Sequence, residues 1–150
     1  IATVALPRSV GGMELPVALF DMDCKLGVSR LDQEIVSRLR SIADERIRLE
    51  SYRSTVSRIT VYRPTDLVHF SLLLHSIHMD ASSALCWECV VVDKPRLIVI
   101  DSLCSIIYDI SSNENNQSLF HAITRLLRSL LRDKRASLVV ISPSSGCHEE

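Results

Sequence analysis

Carboxylates follow two strongly apolar segments of this chain, at places where they could bind a magnesium–nucleotide complex. Asp101 comes directly after the apolar residues 97–100, and Asp21 and Asp23 come after residues 17–20. Apolar runs without polar alternation are typical of strands covered on both faces, as in a parallel sheet flanked by helices. Ligands of such sheets bind beyond the carboxyl ends of the strands, and carboxylate oxygens suit Mg²⁺. The two segments together predict a nucleotide or phosphate site at one edge of a sheet.

The segment Phe20-Asp21-Met22-Asp23 has a second interpretation. It resembles the opening motif of haloacid-dehalogenase-type phosphatases, which implies Asp21 as the nucleophile and Asp23 as the general acid–base. That family continues with Gly-Thr, whereas Cys24 and Lys25 follow here, and no lysine precedes a late acidic pair at a strand end. The phosphatase is therefore the alternative function.

Strands and helices alternate along the first half of the chain. Residues 17–20 are predicted as a strand, and Ser29 with Asp32 approximates a capping box that begins an amphipathic helix to about Glu50. Residues 57–63 alternate and are β-branched, which indicates a second strand. Thr65 or Asp66 is then expected to cap a helix with the apolar positions Leu67, Phe70, Leu73, Leu74 and Ile77.

The second half repeats this alternation. We expect an irregular segment at 79–88, a short apolar run at 89–92, the strand at 97–100 and an Asn-rich loop at 111–118. A strongly periodic helix follows from Leu119 to Leu131, and the last strand is predicted at 137–142. The whole pattern predicts an α/β fold with a mostly parallel central sheet covered by helices.

Composition limits the protein to a few classes. The 150 residues suit one domain, spanning 1–150, and 47% of them are hydrophobic, which is typical of a globular chain with its own core. A net charge of −1 gives no overall basic field for nucleic acid. We expect no transmembrane helix and no signal peptide from these residues. The cysteine count of five is odd and Cys104 lies just beyond a predicted core strand, which favours a reduced, intracellular protein.

Potential zinc ligands lie close together in the middle of the sequence. His75, His78, Cys86 and Cys89 include a Cys-x-x-Cys spacing that zinc sites use. The ordinary alternative is stronger, because the histidines would lie at the end of a buried helix and Trp87 could simply pack between the cysteines.

Four arginines recur at helical spacing near the end of the chain. Arg125, Arg128, Arg132 and Arg135 would lie on one side of the last helix. A DNA-facing stripe is one interpretation, and a solvated face opposite the leucine stripe is the favoured one.

The order of these segments resembles the ATPase core of the RecA-like recombinases, especially the recombination-mediator paralogues of eukaryotes with a degenerate ATPase. The resemblance runs from about residue 3 to about residue 142. Its motifs are, in order, Leu6-Pro7, Gly11-Gly12, Phe20-Asp21-Met22-Asp23, Arg30-Leu31, Val61-Tyr62-Arg63-Pro64, Asp66-Leu67 and Leu97-Ile98-Val99-Ile100-Asp101-Ser102-Leu103.

The resemblance implies specific roles. Asp101 matches the aspartate that holds the Mg²⁺ shell of bound ATP, followed by Ser102 as in the family. Asp23 matches the glutamate that orients the attacking water, but it is one methylene shorter, and such a displacement can slow hydrolysis by roughly 10²-fold. The polar sensor after the last strand is replaced by Ser142-Pro143-Ser144-Ser145. The phosphate-binding loop is absent from these residues, which suggests an N-terminally truncated core in which the loop belongs just before Ile1.

The function implied by the resemblance is homologous-recombination repair of DNA damage. Such paralogues act in the nucleus as members of hetero-oligomers with other RecA-like paralogues, which load or stabilise recombinase filaments on single-stranded DNA. The expected protein therefore binds ATP and Mg²⁺ with little or no hydrolysis, contacts DNA through its complex, and does not associate with membranes.

Overall fold

A computed structural model describes residues 1–79, 94–102, 115–133 and 135–141. Within these ranges the strands form one parallel sheet in the order β2-β1-β3-β4. The strands are β1 (Val17–Asp21), β2 (Ile59–Tyr62), β3 (Leu97–Asp101) and β4 (Ser137–Ile141). The helices are α1 (Ala2–Ala5), α2 (Val28–Leu39), α3 (Glu45–Ser57), α4 (Leu67–His78) and α5 (Asn115–Asp133), with a 3₁₀ turn at Arg8–Val10. The predicted α/β class with a parallel, helix-covered sheet is confirmed.

Helices cover the two central strands on both faces. On one face, Phe20 of β1 and Ile98 and Ile100 of β3 pack with the apolar sides of α4 and α5. On the other, Leu19 and Val99 pack with Ala5 of α1, beside a cluster that α1 forms with α2. Strands buried on both faces need apolar residues at every position, which explains the unbroken runs in the sequence.

The helix predicted from Ser29 to about Glu50 is wrong, because the structure has two helices there. α2 ends at Leu39, and α3 begins after Asp44, whose carboxylate accepts N–H hydrogen bonds from Arg46 at 2.8 Å and Ile47 at 3.2 Å. The apolar period continues across the break because both helices contribute to one cluster, in which Leu39, Ile42 and Tyr52 meet. The apolar periodicity therefore could not reveal that one helix ends and another begins, whereas Asp44, as a typical N-cap residue, could have indicated it.

Other predicted boundaries shift as well. The N-cap of α2 is Gly27, with no side-chain hydrogen bond, so the expected Ser29–Asp32 capping box is wrong. Ser57 ends α3 rather than opening β2, and α5 already begins at Asn115, inside the predicted loop. The expected elements at 79–88 and 89–92 lie outside the described residues, apart from Met79.

Candidate functional site

The carboxyl ends of β1 and β3 lie side by side, and we call this edge of the sheet, formed by Asp21, Asp23, Asp101 and Ser102, the rim. Asp21 is the register partner of Asp101 in the parallel pair β1–β3. Beyond it, the Met22 N–H donates to the Asp101 carbonyl oxygen at 2.6 Å. Parallel pairing of the two apolar runs thus places acidic residues from distant parts of the sequence at one edge.

A side-chain hydrogen bond joins the two halves of the rim. The Ser102 hydroxyl donates to Oδ2 of Asp23 at 3.1 Å, across 79 positions of sequence. Ser102 is itself buried, and the peptide bond between Asp101 and Ser102 is cis. The expectation that Asp23 and Asp101 share one edge is confirmed as a placement, while their roles stay predictions.

Asp21 anchors the loop that follows β1. Its side chain is only 1% exposed and forms an ion pair with Arg63, whose Nε donates to Oδ2 at 3.1 Å. Its Oδ1 accepts the backbone N–H groups of Lys25 at 2.9 Å and Leu26 at 3.2 Å. A buried carboxylate satisfied in this way is well suited to hold a loop. It is poorly placed to attack a phosphoryl group, which must reach the nucleophile from solvent.

Asp23 and Asp101 differ from Asp21 in their exposure and contacts. Asp23 is 18% exposed, and its Oδ2 accepts from both Ser102 and the ammonium of Lys25, the latter at 3.3 Å. Asp101 is half-buried at the end of β3. Within the described ranges, no hydrogen bond or ion pair engages its carboxylate. Among the rim carboxylates, Asp101 is therefore the one whose oxygens are least engaged by the described residues.

The side chains present fit Mg²⁺ bound together with a nucleotide better than Mg²⁺ bound alone. Among the described residues, no group of three or more His, Cys, Asp or Glu side chains is arranged to hold a metal ion. Magnesium commonly uses one or two carboxylates, with waters and substrate phosphates completing its shell. Asp101 and Asp23, which lie at or just beyond the ends of adjacent strands, and the Ser102 hydroxyl are oxygen donors of the kind that such a shell uses.

Two cations beside the rim were not identified from the sequence. Arg63 follows β2, and Lys25 lies in the loop after β1; their side chains are 48% and 82% exposed. Lys25 is two positions from Asp23, so its spacing was a usable signal, but the contact of Arg63 with Asp21 depends on the pairing of β1 with β2. The rim therefore contains positive as well as negative charge.

Among the described residues, neither the candidate zinc ligands nor the four arginines of the predicted row are brought together into a site. His75 is exposed and His78 is half-buried near the end of α4, while Cys86 and Cys89 lie outside the described residues. Arg125, Arg128 and Arg132 are on α5, which suits the solvated face expected there. Arg135 does not continue this row, because α5 ends at Asp133 and Arg135 has a positive φ of 50°.

Comparison with known proteins adds no assignment. No protein-family model matches the chain, and no curated protein is similar enough to count as a match. Within the described part of the chain, no helix has the length and hydrophobicity needed to cross a bilayer.

Proposed function

We propose that this chain is a RecA-like nucleotide-binding core that acts as a recombination-mediator paralogue in homologous-recombination repair of DNA damage. The observation that carries the proposal is the Ser102–Asp23 hydrogen bond, which joins the ends of β1 and β3 beside Asp101. This is the edge at which parallel α/β sheets bind nucleotides. The motif order that resembles the RecA-like recombinases supports the same assignment.

In this proposal Asp101 would hold the Mg²⁺ that accompanies ATP. Bound magnesium supplies charge neutralisation for the phosphate oxygens. Ser102 orients the carboxylate of Asp23 from the other side of the rim. The roles of the four residues are therefore distinct, since Asp101 binds the metal, Ser102 and Asp23 position one another, and Asp21 holds the loop.

Binding of ATP, rather than its hydrolysis, is the proposed activity. Oδ2 of Asp23 already accepts from the Ser102 hydroxyl, so it is engaged where a general base must accept from water. Asp is also one methylene shorter than the glutamate expected at this position. The nucleotide would therefore act as a structural or switching ligand in a nuclear hetero-oligomer with other RecA-like paralogues that supports recombinase filaments on single-stranded DNA.

Nucleotide binding is tested by calorimetry on the full-length protein with Mg-ATP. Asp101→Asn should weaken binding about tenfold or more, since a contact with a charged group contributes about 1.5–3 kcal/mol. The variant should make little difference when EDTA removes the metal. Glu34→Gln, which neutralises an exposed carboxylate on α2, is the matched control and should bind normally. Equal affinities of wild type and Asp101→Asn would contradict the assignment of the rim.

The cellular role is tested separately by deleting the gene and measuring repair of a double-strand break by homologous recombination. Repair should fall, and sensitivity to DNA breaks should rise, with both restored by the wild-type gene. Unchanged recombination after deletion would overturn the repair assignment even if the protein binds ATP.

The phosphatase alternative is not proposed further, because no observation favours it. Its nucleophile would be Asp21, which is buried and engaged with Arg63 and two backbone N–H groups.

A further inference from the structure

In the loop after β1, hydrogen bonds hold the backbone in place, while the Lys25 side chain is exposed to solvent. Asp21 accepts the N–H groups of Lys25 and Leu26, and the Arg63 ion pair holds the Asp21 carboxylate in place. Three donors on one buried carboxylate leave it little freedom to turn. The backbone of Lys25 is therefore fixed relative to the ends of β1 and β2.

From this fixed backbone, the Lys25 side chain reaches Asp23 at the rim. Its ammonium lies 3.3 Å from Oδ2 of Asp23, the same oxygen that accepts the Ser102 hydroxyl at 3.1 Å. A single shared oxygen atom thus separates the ammonium from the end of β3, where Asp101 lies. A phosphate group brought to Asp101 by Mg²⁺ would arrive within reach of this flexible cation.

The contact between Lys25 and Asp23 is easily exchanged. The Lys25 side chain is 82% exposed, and ion pairs in contact with solvent contribute little to stability. A terminal phosphate has a larger charge and more acceptor oxygens than a carboxylate that is already shared. We therefore expect the Lys25 ammonium to exchange Asp23 for a phosphate group when a polyphosphate binds.

We propose that Lys25 is a phosphate-binding residue that exchanges partners. In the free protein it neutralises Asp23, and when nucleotide binds it would exchange Asp23 for the outermost phosphate. This inference rests on the proposed nucleotide site. It adds that recognition of the triphosphate depends on a lysine in the loop after β1.

The test compares affinities of full-length variants for Mg-ATP and Mg-ADP. Lys25→Met should weaken Mg-ATP binding about tenfold and Mg-ADP binding about threefold or less, because the outermost phosphate is missing from ADP. Lys25→Arg should restore Mg-ATP affinity to within about threefold of wild type, since the charge is retained. Lys94→Met removes the same charge before the opposite end of β3 and should have no effect.

A second measurement needs no substitution. Amine-reactive labelling read by mass spectrometry should modify Lys25 readily in the free protein, and saturating Mg-ATP should protect it while Lys94 stays equally reactive. The inference would be overturned if Lys25→Met bound Mg-ATP as tightly as the wild type does, or if Mg-ATP left the labelling of Lys25 unchanged. Either result would leave the assignment of the rim unaffected. Failure of the wild type to bind any nucleotide would instead overturn the proposed function, and the role of Lys25 with it.

Discussion

Three aspartates of the rim, all placed after apolar runs, have different environments. Asp21 is buried and satisfied by an arginine and two backbone N–H groups, Asp23 is shared between a serine and a lysine, and Asp101 is half-buried at the end of its strand. The same side chain can therefore hold a loop, position a neighbour or meet a cation. Contacts from other elements decide between these roles, since the sequence pattern around the aspartates is similar.

Gly12 shows a residue-scale requirement of a different kind. A Cβ atom built on Gly12 would overlap the backbone carbonyl group of Leu6. The loop after α1 can therefore pass this close to the Leu6 backbone only if position 12 is a glycine. We expect Gly12→Ala to lower the free energy of unfolding by about 1–3 kcal/mol or more, measured by urea denaturation.

Gly27→Ala is the control for that measurement. Its Cβ would meet nothing closer than 3.8 Å, and it should lose less than about 1 kcal/mol, from the weaker N-cap preference of alanine. Equal losses at the two positions would show that the close approach to Leu6 is not what requires glycine at position 12.

Helix boundaries are decided at the scale of elements by caps more than by apolar period. Asp44 begins α3 in the middle of a continuous apolar pattern, and Asp66 begins α4 by accepting the His69 N–H at 2.7 Å. Helices α2 and α3 are also joined by the Tyr52 hydroxyl, which donates to Asp32 at 2.5 Å. This hydrogen bond to the Asp32 carboxylate raises the pKa of Tyr52 above 10.0.

The cap of α4 should make stability depend on pH in the acid range. The His69 N–H, more than the Thr65 hydroxyl, holds the pKa of Asp66 below its ordinary value of 3.8. Because the folded-state pKa is depressed, the stabilisation is present above pH 3.8 and is lost as the pH falls through the lower, folded value. Asp66→Ala should cost about 1 kcal/mol at pH 7, and this difference from wild type should shrink as the pH falls below 3.8.

Asp66→Asn provides the matched control, because asparagine caps helices without titrating in this range. Denaturation curves at several pH values should show Asp66→Asn close to wild type at pH 7. A cost of Asp66→Ala that stays constant down to about pH 2 would mean that the carboxylate charge makes no contribution to the cap.

One parallel sheet organises the molecule. Its central strands are buried, whereas β4 is more exposed to solvent. Val99 of β3 and Val139 of β4 are register partners in neighbouring parallel strands. Val99 is 1% exposed, whereas Val139 is 46% exposed. The contribution of a valine in this sheet therefore depends on the strand that carries it.

This pair yields a prediction for the whole fold. Val99→Ala should destabilise the protein by about 2 kcal/mol, because a fully buried valine is worth about 1.5–3 kcal/mol. Val139→Ala, the same change on the adjacent strand, should cost under about 1 kcal/mol. Thermal or urea unfolding measures both, and a cost at Val139 equal to that at Val99 would show that another surface covers β4 in solution.

The sequence by itself determined the fold class, the strands β1 and β3, and the positions of the carboxylates that follow them. It could do so because unbroken apolar runs are the local consequence of burial on both faces of a parallel sheet. Only the tertiary structure decided the burial of Asp21 against Arg63 and the hydrogen bond from Ser102 to Asp23. These features depend on which strands become neighbours, and strand pairing joins residues whose separation in the sequence conceals their contact.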